Sequence, residues 1–236
     1  MARAIARRLS ARRPLRDARP RRGVGALLPV RYSYHGDDID LDRTLEVLAE
    51  RPRPEATDIV VRERMSARRA VALVVDVSGS MRGEKVRIAA ATVAVLAAEL
   101  SGPADQLAVV AFWSDAAVLT SLTEVTTPAT LLDTLLRIPA RGLTNVGFGL
   151  STAHAILAGS AAPRRIAIML TDSVHNAGPD PRLLARRFGE LHVLLETDGE
   201  HDLPLGRDIA RLGHGALHPV RTHRDVAPAL TRVLSR

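Results

Sequence analysis

The sequence contains no cysteine among its 236 residues, and aromatic residues make up only 3% of it. The lack of cysteine excludes disulfides, thiolate metal sites and cysteine nucleophiles, and it is compatible with a reducing compartment. The shortage of aromatics leaves no evident stacking platform for nucleic-acid bases. No apolar run approaches the roughly 18 residues that a membrane-spanning helix needs. We therefore expect a cytoplasmic protein without a membrane span.

A nucleotide-binding loop of the type Gly-x-x-x-x-Gly-Lys-Ser/Thr is also missing from the chain. Any hydrolysis of ATP connected with this protein must therefore come from another chain. What is present is typical of a globular protein with a real core, since 46% of the residues are hydrophobic and 25% are charged.

The basic character of the chain is concentrated at its start. The formal net charge is +7 overall, but residues 1–35 contain ten arginines and one acid, Asp17, so they carry +9 and the remainder carries −2. We interpret residues 1–35 as a basic, Arg-rich, disordered tail. A transit peptide, a segment that binds nucleic acid or anionic lipid, and a segment that docks on an acidic partner are the alternatives.

Residues 36–68 form a lead-in to the main domain. The acidic start is followed by a short amphipathic helix around Thr44, which the prolines Pro52 and Pro54 end. Residues 57–64 alternate between apolar and charged side chains, and this pattern predicts an edge strand that precedes the central strand.

From Arg69 onward, strand and helix patterns alternate regularly to the end of the chain. This alternation predicts an α/β domain over residues 69–236, with a mostly parallel sheet covered by helices on both faces. Residues 116–119 are predicted to add a short antiparallel strand to it.

The most informative stretch is Val-Ala-Leu-Val-Val-Asp-Val-Ser-Gly-Ser-Met at residues 71–81. A buried strand leads directly into Asp76, Ser78 and Ser80. A second buried strand ends at Asp172, and Thr144 lies at a turn that opens a helix between the two. If the two strands are neighbours where the strand order reverses, these side chains converge on one crevice. Such hard oxygen donors suit Mg²⁺, Mn²⁺ or Ca²⁺.

The ordered set Asp76-x-Ser78-x-Ser80, Thr144 and Asp172 resembles the metal-ion-dependent adhesion site (MIDAS) of von Willebrand factor A (VWA) domains. All five positions of that motif are filled. The resemblance covers about residues 57–236 and implies a Rossmann-like, three-layer α/β/α fold. It also implies that Mg²⁺ or Mn²⁺ is held at the upper edge of the sheet, and that a partner protein donates an aspartate or glutamate to the ion. The module would then be a non-enzymatic interaction domain.

The stretch before the metal loop contains Ile-Asp-Leu-Asp-Arg-Thr-Leu at residues 39–45 and Asp-Ile-Val-Val-Arg at residues 58–62. It is similar to the bacterial branch that contains magnesium-chelatase D subunits and CoxE-like proteins. That resemblance implies an AAA+ ATPase partner of the MoxR or chelatase type, in protein remodelling or metal insertion. A subunit of a chelatase-like enzyme is one alternative, and nucleic-acid binding through the basic tail is another. The sequence departs from the family at Ser173, where glycine is usual. Arg82 and Lys85 follow the metal loop and could attract an acidic partner.

Overall fold

A computed structural model describes most of the chain outside the basic start. The described residues are 27–31, 39–50, 55, 58–64, 69–78, 83–100, 105–124, 126–138 and 142–235. They fall into two compact units, one within residues 17–68 and one that contains residues 69–235. Each unit is described by itself.

The smaller unit is built on a two-stranded antiparallel sheet. Strand β1 (Leu27–Arg31) pairs with β2 (Val60–Arg64). Helix α1 (Leu41–Glu50) is joined to β2 through the buried hydroxyl of Thr44, which donates to the Val60 carbonyl at 3.1 Å and accepts from the Val60 amide at 2.9 Å.

This pairing corrects the expected position of residues 57–64. In the described part of this stretch, residues 58–64, strand β2 pairs with β1 in a separate sheet and does not extend the main sheet. Strand β1 itself lies within the stretch for which composition predicts disorder. The alternating pattern of 57–64 indicates a strand but carries no information about its partner, since strand pairing depends on residues distant in sequence.

The larger unit contains a six-stranded sheet. Its strands are β3 (Arg69–Asp76), β4 (Gln106–Phe112), β5 (Ala116–Thr120), β6 (Arg164–Thr171), β7 (Leu191–Glu196) and β8 (His214–Val220). Their order across the sheet is β5-β4-β3-β6-β7-β8, and only β5 is antiparallel to its neighbour. This topology confirms the predicted fold class, including the antiparallel edge strand.

Helices cover both faces of the sheet. One face carries α2 (Glu84–Glu99), α3 (Pro128–Arg137) and α7 (His223–Leu234), and the other carries α4 (Val146–Ala158), α5 (Pro181–Ala185) and α6 (Leu203–Leu212). Strand β3 sends alternate residues into the two cores, which explains its unbroken apolar run. Within the described residues, no helix is long and apolar enough to cross a membrane.

The strand order reverses between β3 and β6. From β3 the chain first builds β4 and β5 on one side, and it then returns to add β6, β7 and β8 on the other side. A crevice therefore opens above the carboxyl ends of β3 and β6, where open α/β sheets bind their ligands. Because Val75 pairs with Leu170, Asp76 at the end of β3 lies beside Thr171.

Candidate metal centre

Asp76 is held at the end of β3 by two neighbouring hydroxyls. Its Oδ1 accepts hydrogen bonds from the Ser78 amide at 2.9 Å and from Ser78 Oγ at 2.5 Å. Its Oδ2 accepts one from Thr171 Oγ1 at 2.7 Å. Burial raises the pKa of Asp76 to about 6, although the hydroxyls of Ser78 and Thr171 act in the opposite direction. The carboxyl group is therefore fixed in orientation and costly to ionise without a nearby cation.

Asp172 follows β6 directly and turns its two oxygens to different partners. Oδ1 accepts a hydrogen bond from the Val174 amide at 3.0 Å, and Oδ2 accepts one from Lys85 Nζ at 3.2 Å. Its negative charge contributes to the raised pKa of Asp76, so the two carboxyl groups share one electrostatic environment. The structure thus brings Asp76, Ser78 and Asp172 to the same end of neighbouring strands.

Thr144 lies in the loop before α4 and is buried. Asn176 holds its backbone on both sides, because Asn176 Oδ1 accepts from the Thr144 amide at 2.7 Å and the Asn176 amide donates to the Thr144 carbonyl at 3.2 Å. The next residue, Asn145, donates its amide to the Trp113 carbonyl at 2.7 Å and caps α4 through its side chain. Thr144 is therefore tied to the segment that follows Asp172. Asn176 is a positioning residue that the sequence motif does not reveal.

Ser80, the remaining predicted ligand, and Arg82 both lie outside the described residues.

Lys85 and Glu196 complete the group of charges around the crevice. Besides Asp172, Lys85 Nζ approaches Glu196 Oε2 at 3.7 Å. Glu196 ends β7 and is only 6% exposed. Burial raises the pKa of Glu196 to about 7, with Lys85 opposing the rise and the two aspartates adding to it. Desolvation lowers the pKa of Lys85, but the surrounding carboxylates outweigh it and leave the pKa raised.

Glu196 is not among the residues predicted from the sequence, although it carries the same signal as the two aspartates. It is an acidic residue at the carboxyl end of a buried strand, in a sheet whose neighbouring strands already end in acids. Lys85, expected to face an acidic partner, faces the chain's own carboxylates.

Residues 71–175 match the family model of the von Willebrand factor type A domain. The fold is that of a VWA domain. A search of curated proteins found no match.

Solved structures support the fold. A von Willebrand factor type A protein from Catenulispora acidiphila is 21% identical with a TM-score of 0.58, and the match covers 71% of this chain and 42% of that one. BatB from Bacteroides thetaiotaomicron is 16% identical with a TM-score of 0.54, covering 70% and 97%. Proximal thread matrix protein 1 from the mussel byssus, described with a zinc-occupied MIDAS motif, is 18% identical with a TM-score of 0.57, covering 71% and 45%.

The candidate donor set in the crevice contains hydroxyls as well as carboxylates. Among the residues that the structure describes, no group of three or more histidine, cysteine, aspartate or glutamate side chains is placed to hold a metal ion. A cation in the crevice would therefore need the neutral oxygens of serine and threonine beside Asp76 and Asp172.

Ser173 occupies a backbone conformation that favours glycine. Its φ is +63°, in the left-handed region, and its side chain is completely buried. Among the described residues its Oγ has no hydrogen-bond partner. The hydroxyl lies against α6 at Gly206, where an added Cβ would come within 2.8 Å of Ser173 Oγ. Ser173 therefore destabilises the folded state in two ways, through its strained backbone and through its unpaired buried hydroxyl.

Replacing Ser173 with glycine is expected to stabilise the domain. Relief of the left-handed conformation contributes about 1 kcal/mol, and removal of the unpaired hydroxyl contributes about 1 kcal/mol more. The greater freedom of glycine in the unfolded chain offsets up to about 1 kcal/mol. The net gain of about 1 kcal/mol corresponds to a rise in Tm of about 2–4 °C.

Thermal and urea unfolding would measure this gain, with Ser173→Ala as the matched variant that removes the hydroxyl but keeps the strain. A Ser173→Gly protein less stable than Ser173→Ala would show that relief of the left-handed conformation is worth less than the entropy cost of glycine, and would contradict the predicted gain.

Proposed function

We propose that this VWA domain binds a divalent cation, Mg²⁺ or Mn²⁺, and through it captures an acidic side chain of a partner protein. Asp76, Ser78, Ser80, Thr144 and Asp172 would hold the ion. The observation that carries the proposal is the convergence of Asp76, Ser78 and Asp172 on the crevice between β3 and β6. The domain itself would be a binding module without catalytic activity.

The residues of the crevice fit a hard divalent ion. All proposed donors are oxygens, as Mg²⁺ and Mn²⁺ prefer. The crevice already accommodates a positive group, because the Lys85 ammonium lies beside Asp172 and Glu196. Burial raises the pKa values of Asp76 and Glu196, and the neighbouring carboxylates add to the rise, so a bound cation would stabilise the charged forms of both groups. The mussel byssus protein of the same fold, described with a zinc-occupied MIDAS motif, supports a divalent ion in this position.

The chain's own residues prepare the site before any partner arrives. Ser78 and Thr171 orient the carboxyl group of Asp76, and Asn176 fixes the loop that carries Thr144. A bound divalent ion would supply an open coordination position for the partner's carboxylate. Three of the five proposed ligands are neutral hydroxyls, which are weak donors, so the ion would remain a good acceptor for a carboxylate oxygen from outside the chain.

The partner that we propose is an AAA+ ATPase of the MoxR or chelatase type, in the cytoplasm. The missing nucleotide-binding loop supports a division of labour in which another chain hydrolyses ATP. The stretch before the metal loop resembles that of chelatase D subunits and CoxE-like proteins, and this resemblance supports the same type of partner.

A capture experiment tests the proposal. The immobilised chain would be incubated with native-host extract in Mg²⁺ or in chelator, and retained proteins would be identified by mass spectrometry. We expect an AAA+ ATPase that is retained in Mg²⁺, released by chelator and absent with Asp76→Ala. Asp198→Asn, which changes an exposed carboxylate in the same unit, serves as the control. Partners that remain bound in chelator and with Asp76→Ala would contradict metal-mediated capture.

A further inference from the structure

The only lysine of the chain lies inside the candidate metal centre. Lys85 belongs to the first turn of α2, and its ammonium group lies 3.2 Å from Asp172 Oδ2 and 3.7 Å from Glu196 Oε2. The Lys85 side chain is 31% exposed, whereas those of Asp172 and Glu196 are 16% and 7% exposed. The chain therefore places a cation of its own between two largely buried carboxylates.

The fold explains why these three charges meet. Thr171 pairs with Leu195 across the parallel strands β6 and β7, so the following residues, Asp172 and Glu196, leave the sheet side by side. Side chains alternate along a strand, and Leu170 and Leu194 both face the core that contains α2. Asp172 and Glu196 are therefore directed to the face on which α2 carries Lys85.

A divalent ion at Asp172 would conflict with this arrangement. It would add two positive charges within a few ångströms of the ammonium, and like charges at such a distance in a partly buried site repel strongly. Asp172 Oδ2 is also the atom to which Lys85 donates. Since the lysine stem is flexible and Glu196 is already within reach, the ammonium can leave Asp172 without moving into water.

We propose that Lys85 is a built-in counter-ion that competes with the divalent metal for Asp172, and that Glu196 receives the ammonium when the metal binds. This inference rests on the proposed metal site, and it adds that Lys85 and Glu196 determine the affinity of that site for the metal. Without metal, Lys85 compensates the two carboxylates. With metal, Lys85 and Glu196 form a separate ion pair, and Asp172 becomes available to the ion.

Calorimetric titration of the full chain with Mn²⁺ tests the exchange, using Lys85→Gln, Glu196→Gln and the double variant. Removing the competing charge in Lys85→Gln is expected to tighten binding about tenfold. Glu196→Gln is expected to weaken binding about tenfold in the wild-type background, because the ammonium then stays at Asp172, but only about twofold in the Lys85→Gln background. Lys85→Arg keeps the charge and should not tighten binding.

The pairing of Lys85 with Asp172 and Glu196 can also be tested in the absence of metal, through the stability of the protein. Urea unfolding in chelator should show Lys85→Gln to be less stable than wild type, because the variant removes the ammonium group that pairs with the two largely buried carboxylates of Asp172 and Glu196.

The possible results separate the two proposals. No Mn²⁺ uptake by any variant would overturn the metal site and the exchange with it. Uptake by the wild type together with additive effects of the two substitutions, or with unchanged affinity of Lys85→Gln, would overturn only the exchange between Asp172 and Glu196.

Discussion

Replacing Asp76 with alanine is expected to abolish binding of Mg²⁺ and Mn²⁺, with a rise in Kd of more than about 100-fold, because substitutions even outside the ligand shell often cost 10–100-fold. The hydroxyls of Ser78 and Thr171 orient the Asp76 carboxylate by donating hydrogen bonds to its two oxygens. Its removal takes one of two negative charges from the proposed ligand set. The remaining hydroxyls cannot compensate a divalent charge.

Calorimetry with purified protein would measure the loss. Asp76→Asn keeps the shape of the side chain and removes only its charge, so it should lose nearly as much affinity as Asp76→Ala. Asp198→Asn, with its exposed carboxylate, should bind as the wild type does. Circular dichroism would establish that each variant is folded. Retention of wild-type affinity by folded Asp76→Ala would exclude this carboxylate as a ligand.

Replacing Gly215 with alanine is expected to destabilise the larger unit by about 3 kcal/mol, the upper part of the range for overpacked sites. A Cβ at Gly215 would lie 2.1 Å from the Leu191 carbonyl oxygen and 2.5 Å from its carbon. Both atoms belong to the backbone, so no side chain can move aside. The register of β7 and β8 is already irregular between Leu191 and Val193, and the added methyl group would push the two strands further apart.

Gly189 provides the matched control, because a Cβ there would meet nothing within 4 Å. Gly189→Ala should stay within about 0.5 kcal/mol of the wild type, whereas Gly215→Ala should lower Tm by about 6–12 °C or prevent folding. Urea unfolding measures the change in the free energy of unfolding, and thermal unfolding measures the change in Tm. Equal stability of the two variants would contradict the close approach of β8 to Leu191.

The sequence is sufficient to predict the sheet because its buried strands are short apolar runs between helix signals. Residues 116–119 are predicted as a short antiparallel strand and are observed as β5 (Ala116–Thr120), antiparallel to β4. The strand ends then locate Asp76 and Asp172, since carboxyl ends of neighbouring parallel strands share one edge. A local sequence pattern does not identify the strand with which a given strand pairs. The predicted position of β2, as an edge strand preceding the central strand, is wrong for that reason.

The charges that surround the candidate site are less accessible to sequence reasoning. From the sequence, Lys85 is interpreted as a cation that could attract an acidic partner, because its contacts with Asp172 and Glu196 arise only when α2 packs on the sheet. Ser173 shows the opposite case. Its departure from glycine is visible in the sequence, but the positive φ and the buried hydroxyl require the structure.

The most direct test of the account is the position of Mn²⁺ in crystals of this protein, measured by anomalous scattering. The account predicts a peak in the crevice between β3 and β6, within bonding distance of oxygens from the set Asp76, Ser78, Ser80, Thr144 and Asp172. Crystals grown with saturating Mn²⁺ that show no peak in this crevice, or that show the ion bound only elsewhere, would contradict it.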